Sequence, residues 1–336
     1  SVAGDVLGGG AITATGTSVN GNLTSSAGAV TLAGGKVGGN LLAQGAVTLK
    51  LGTVVTGTLT SQAGALTLTD SSVGGDVQAY GAITSTNTTV KANLGTSTGA
   101  ITVVGGSVGA AVHAEGAITS TGAPITGNLT SNSGAITLTT GSVGGNVLAG
   151  GVITATDTPV TGNLTSSGAA ITLVRGSVSG DVNAFAAITA TDTCIGGDAV
   201  SGAATTFTRA TVGGNAQAFG AMTLTGTSVG GNATAGGAIT ATDSCIGGVI
   251  VAGGAKTITG DCTSSPPHNA CKAVAPTAQI DHFAFSYAGA ALTCNPQPIT
   301  ITACSNASCS LYADPVSVVL SPSSGWTATP PAVING

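Results

Sequence analysis

Val73-Gly74-Gly75-Asp76-Val77, followed by Gly81-Ala82-Ile83-Thr84-Ser85-Thr86, decides the fold, because its pattern returns every 17 or 18 residues until about residue 260. The register Val or Ile falls at Val2, Val19, Val37, Val55, Val73, Val90, Val108, Ile125, Val143, Val160, Val178, Ile195, Val212, Val229 and Ile246. Fifteen units of this length are the signature of a solenoid, in which each repeat buries its apolar face only against its neighbours.

The composition agrees. Of 336 residues 55 are Gly, 6% are charged and 3% are aromatic, so the chain can build a large core but not one of bulky rings. Thr, Val and Ile favour strands and the Gly-rich punctuation favours turns, which predicts an all-β chain. A net charge of −5 without a basic stripe speaks against nucleic acid as a partner. No apolar run approaches the roughly 20 residues of a membrane-spanning helix. The chain opens on Ser1 rather than Met, as after removal of a targeting segment.

Alternation within the rung assigns the faces. Val73, Val77, Ala79, Ile83 and Ser85 point inward, whereas Asp76, Thr84 and Thr86 point outward. The sixth residue after the register position is always small, as in Gly8, Ser25, Ala43, Ser61 and Ala79. The expected coil is a right-handed parallel β-solenoid of three short strands per rung. Fifteen rungs at about 4.8 Å make a rod of roughly 70 Å. Asn or Asp follows the register residue by three positions in twelve of the fifteen rungs, which predicts amide ladders, with calcium binding the alternative. The first rung is already in register at Ser1-Val2 with no cap, so that end is expected to accept another molecule.

Runs such as Val143-Gly-Gly-Asn-Val-Leu-Ala-Gly-Gly-Val-Ile-Thr154 resemble the bactofilin-like, polymer-forming β-helices over about the first 260 residues. That resemblance implies a fold and the habit of polymerising, not a chemistry.

The period stops at Gly260-Asp261, which sets expected domains of 1–261 for the solenoid, 262–277 for a Pro- and Cys-rich linker and 278–336 for a small β-domain. Seven cysteines, without a CxxC pair, fit disulfides of an exported protein better than a metal site. The bridge candidates are Cys245, Cys262, Cys271, Cys294, Cys304 and Cys309. Cys245 and Cys262 lie one rung apart, close enough to pair, and Cys194 is expected to be the odd thiol. Strands are expected at 280–287, 297–304 and 316–320. From Asp281-His282 through Leu292-Thr-Cys294 and Ala303-Cys-Ser-Asn-Ala-Ser-Cys-Ser-Leu-Tyr312 to Trp326, this segment resembles the small domain of MshQ-like proteins associated with mannose-sensitive haemagglutinin pili. The resemblance implies a surface or pilus-associated protein. An immunoglobulin-like sandwich needs about seven strands, so a missing strand is expected from a neighbour or from a longer chain.

The strongest functional column is the outward Thr after the core Ile position: Thr13, Thr31, Thr48, Thr67, Thr84, Thr102, Thr119, Thr137, Thr154, Thr172, Thr189, Thr206, Thr223, Thr240 and Thr257. Two residues on, Thr recurs in eleven rungs and gives way to Ala33, Lys50, Val104 and Val174 in the others. Such Thr-x-Thr grids resemble the faces of ice-binding β-solenoids; strand propensity and Thr–Thr pairing are the plain alternative. Tyr80, Phe185 and Phe219 share a corner position and are expected to pack between subunits. His113 with Glu115 is the nearest approach to a catalytic pair, and no nucleophile joins it. The sequence therefore predicts a non-enzymatic, secreted or cell-surface structural subunit that needs no cofactor or metal. Its partners are identical copies, with pilus or cell-surface components also implied. Ice binding and a pilus-associated adhesin are the alternatives.

Overall fold

The computed structural model describes residues 1–260, 282–287, 299–304, 316–318 and 332–334. The chain divides into two compact units, Ser1–Val274 and Ala275–Gly336.

The first unit is a three-walled parallel β-solenoid. One wall is a 15-stranded sheet of three-residue strands, running from Val6–Gly8 through Val77–Ala79 to Ile250–Ala252. The other two walls form a 25-stranded sheet. Its longer strands start at the core Ile position, as in Ile83–Thr86, and its two-residue strands end at the register residue, as in Ser72–Val73. In four rungs both walls run as one strand: Ile12–Val19, Val30–Val37, Ile118–Ile125 and Ile136–Val143. Pairing is like on like: Val73 faces Val55 and Val90, and Ile83 faces Leu66 and Ile101.

The core is the stack of inward columns, with Val73, Val77, Ala79 and Ile83 at 1% exposure or less. Phe207 is the one aromatic among the largest fully buried side chains. Its rung makes room by carrying Thr205 where Ile is usual, and the Thr205 hydroxyl hydrogen-bonds that of Ser201 at 2.7 Å.

The small sixth position has a second role. Where a rung has 18 residues because its first corner is one longer, that position is Ser25, Ser61, Thr96, Ser131 or Ser166. Each of these buried hydroxyls accepts the N–H three residues on, at 3.0–3.1 Å, closing the longer turn. Each also donates to a Gly carbonyl of the preceding rung, at 2.5–2.8 Å. Among the shorter rungs the place is Gly or Ala, save Ser201.

The corner between the second and third walls turns through left-handed backbone. Asp70, Asn87, Asp157, Asp192 and Asp243 have φ between 46° and 53°, a conformation that Asn and Asp tolerate better than most residues. Arg175 and Arg209 adopt it too, each fixed by a bidentate pair with the Asp of the rung below.

In the second unit His282–Tyr287 pairs antiparallel with Ile299–Cys304, and Val316–Val318 with Ala332–Ile334. The last strand was not expected: Ala332–Ile334 supplies, from within the chain, a partner for the third predicted strand. Ile280, Gln297 and Leu320, at the expected strand ends, lie outside the described residues.

Candidate functional site

The structure brings the Thr column together completely. All fifteen residues pair with one another in fourteen consecutive registers from Thr13 to Thr257, and none is buried. Parity explains this: each Thr follows a core Ile-type residue, so its side chain must face outward. The second column runs unbroken only at one end, where Thr191, Thr208, Thr225, Thr242 and Thr259 stack in register. Alongside Thr189 to Thr257 they form a double file five rungs tall. Thr259 Oγ1 lies 3.3 Å from Thr242 Oγ1, so the file is also joined by a hydroxyl contact.

The Asn/Asp column is a ladder, though not one of amide on amide. Each of the twelve side-chain oxygens accepts the backbone N–H at the equivalent position one rung on, from Asp5 to Asn22 through Asn232 to Val249. Amide N–H donation to the rung below occurs where Asn follows Asp, as in Asn93 to Asp76 at 2.9 Å. The reason is the corner itself. The N–H after the Gly pair points along the solenoid axis, and a short side chain with an acceptor one rung below satisfies it.

The same oxygen explains the Gly of the Gly-Asn and Gly-Asp pairs. A Cβ at Gly180, Gly197 or Gly214 would stand 2.1 Å from the Oδ1 of Asn163, Asp181 or Asp198. Ala92 and Ala110 occupy this place in two rungs, and there the ladder bonds lengthen to 3.0 and 3.1 Å, against 2.6–2.9 Å over Gly.

Tyr80, Phe185 and Phe219 are exposed by 52%, 69% and 67%, as their corner position predicts. His113 and Glu115 do not act on each other: Glu115 accepts from Asn132 Nδ2 at 2.8 Å. The structure places Cys194, expected as the odd thiol, on a strand in register with Ser177 and Thr211. Cys194 and Cys245 stand on one column, Ser177-Cys194-Thr211-Ser228-Cys245, three rungs apart. Spacing alone excluded only a bond between those two. Cys262, Cys271, Cys294 and Cys309 lie outside the described residues, and so does the expected Cys245–Cys262 bridge.

Two charged pairs mark the left-handed corner. The Arg175 guanidinium hydrogen-bonds Asp157 and holds its carboxyl below the usual range, and Arg209 does the same to Asp192. Among the described residues no three His, Cys, Asp or Glu side chains gather to hold a metal, and no helix is long and apolar enough to cross a membrane.

Residues 280–336 match one family model, described as a domain of unknown function (DUF8613). No curated protein matches the chain, and no solved structure does.

Proposed function

We propose that this chain is an exported, non-enzymatic structural subunit whose solenoid builds a surface fibre with other copies of itself. The observation that supports this best is the directional ladder. In twelve of the fifteen rungs an Asn or Asp side-chain oxygen accepts an N–H of the next rung, always in that direction, while backbone N–H and C=O groups bond to both neighbouring rungs. A contact of that kind is head-to-tail, and head-to-tail contacts that do not close into rings propagate as filaments. The like-on-like columns mean that a rung from a second copy would meet the same chemistry that the chain's own rungs meet. The resemblances of the repeats to polymer-forming β-helices and of the C-terminal segment to pilus-associated domains point the same way, as do the seven cysteines, whose pairing would suit an oxidising compartment. Exchange of a strand between C-terminal units would be a second mode of contact. Sedimentation velocity over a rising concentration series tests the reading: growing assemblies support it, and a monomer at every concentration opposes it.

The double Thr file favours a second reading, binding to ice or another crystalline surface. Its hydroxyls and methyls repeat at about 4.8 Å between rungs and about 6.6 Å along each strand. Thermal hysteresis by the wild type, lost in Thr223→Tyr at the centre of the file, is the result this reading expects. No hysteresis in the wild type removes it.

A further inference from the structure

We propose that the three-residue-strand wall carries a binding notch for a neutral oligosaccharide, centred on Gly95. The outward column of this wall reads Thr60, Gln78, Gly95, His113, Thr130 through consecutive rungs. Gly95 leaves out one side chain of that file and is itself buried, with the Gln78 amide folded over it. One column over, Ala111 replaces the Asn or Asp of the ladder in the next rung. The two gaps meet in an open cavity of about 480 Å³, within the size range of small-molecule sites.

Its polar lining is mixed and already oriented. The Gln78 amide lies across Gly95, its Oε1 2.4 Å from where a Cβ would be, while its Nε2 donates to Ser97 Oγ at 3.4 Å. Asp76 Oδ1 accepts both Asn93 N and Asn93 Nδ2, at 3.0 and 2.9 Å, which leaves Oδ2 as an acceptor. His113 is exposed at the far side of the gap. Beneath them Val77 and Leu94 are buried and supply a floor rather than an apolar pocket.

A carboxylate, two amides and an imidazole together accept and donate in both senses, which matches hydroxyl groups. The lining contains Asp76 and no Lys or Arg, which disfavours anions. The notch from Gln78 to His113 spans two rung steps, or about 10 Å, the length of a disaccharide.

The test uses the whole chain and a panel of neutral gluco-, manno- and galacto-configured di- and trisaccharides, read by ligand-observed NMR and calorimetry. Gly95→Thr fills the notch with the residue that Thr60 and Thr130 already carry in that column, and its Cβ meets only the flexible end of Gln78. The expected result is saturable binding of at least one sugar, weakened about tenfold or more by Gly95→Thr and by His113→Ala, with Phe185→Ala unaffected. Absence of saturable binding across the panel, or binding that survives both substitutions, overturns the proposal.

Discussion

Asn215 Oδ1 stands 2.5 Å from the point where a Cβ on Gly231 would lie, and it accepts the backbone N–H of Asn232 at 2.9 Å. The two residues are chosen together: the oxygen needs an empty place on the next rung, and the turn there needs an acceptor. Asn215→Ala leaves an exposed N–H to water and is expected to lower stability by about 1 kcal/mol. Gly231→Ala is expected to cost more with Asn215 present than in the Asn215→Ala background. A double-mutant cycle by thermal or urea melting checks this, with a coupling of at least about 0.5 kcal/mol expected. Strict additivity would contradict the pairing.

Ser131 tests the longer corners. Its hydroxyl donates to Gly116 O at 2.8 Å and accepts Gly134 N–H at 3.0 Å, at 1% exposure. Ser131→Ala leaves both backbone groups without this partner, and a loss of roughly 1–3 kcal/mol is expected. Urea denaturation measures it. Ala149, the equivalent residue of the next and shorter rung, stands where no hydroxyl is needed.

Ser85 predicts the opposite sign. Its Oγ is buried and makes no hydrogen bond among the described residues. Its neighbours in the column are Leu68 and Val103, both fully buried. Ser85→Ala is expected to be neutral or to stabilise by up to about 1 kcal/mol, since it removes a desolvated hydroxyl and little volume. A drop in melting temperature would show that the hydroxyl has a partner in solution.

The charged corner gives a pH dependence. The carboxyls of Asp157 and Asp192 titrate below their ordinary range because of Arg175 and Arg209. Their contribution is therefore present above the unfolded carboxylate value of about 3.9 and is lost as pH falls through the lower folded value. Both pairs are exposed, so the effect is small. The melting difference between wild type and the Asp157→Asn, Asp192→Asn double variant should hold steady from pH 8 to 5 and shrink below about pH 4. It should also shrink in high salt.

Much of the solenoid was legible because its period, parity and Thr column follow from local rules. Val73, Ile83 and Thr84 take the faces that alternation assigns. The features that escaped depend on what lies one rung away. Ser131 reads as merely small until the longer corner above Gly116 is seen to need a hydroxyl. The Asn and Asp column reads as amides in contact, because sequence does not show that the turn's N–H points along the axis. Gly95 looks like any other Gly until Gln78 and His113 flank it. The strand Ala332–Ile334 follows Pro330 and Pro331, which read as a break rather than the approach to a sheet.

The central claim, that copies continue one another's rungs, is tested most directly by X-ray diffraction from oriented fibres of the purified chain. Rung-on-rung stacking places the reflection near 4.8 Å on the meridian, with strands perpendicular to the fibre axis. The account predicts that pattern. A chain that forms no fibres at high concentration, or fibres with the 4.8 Å reflection on the equator, would contradict it.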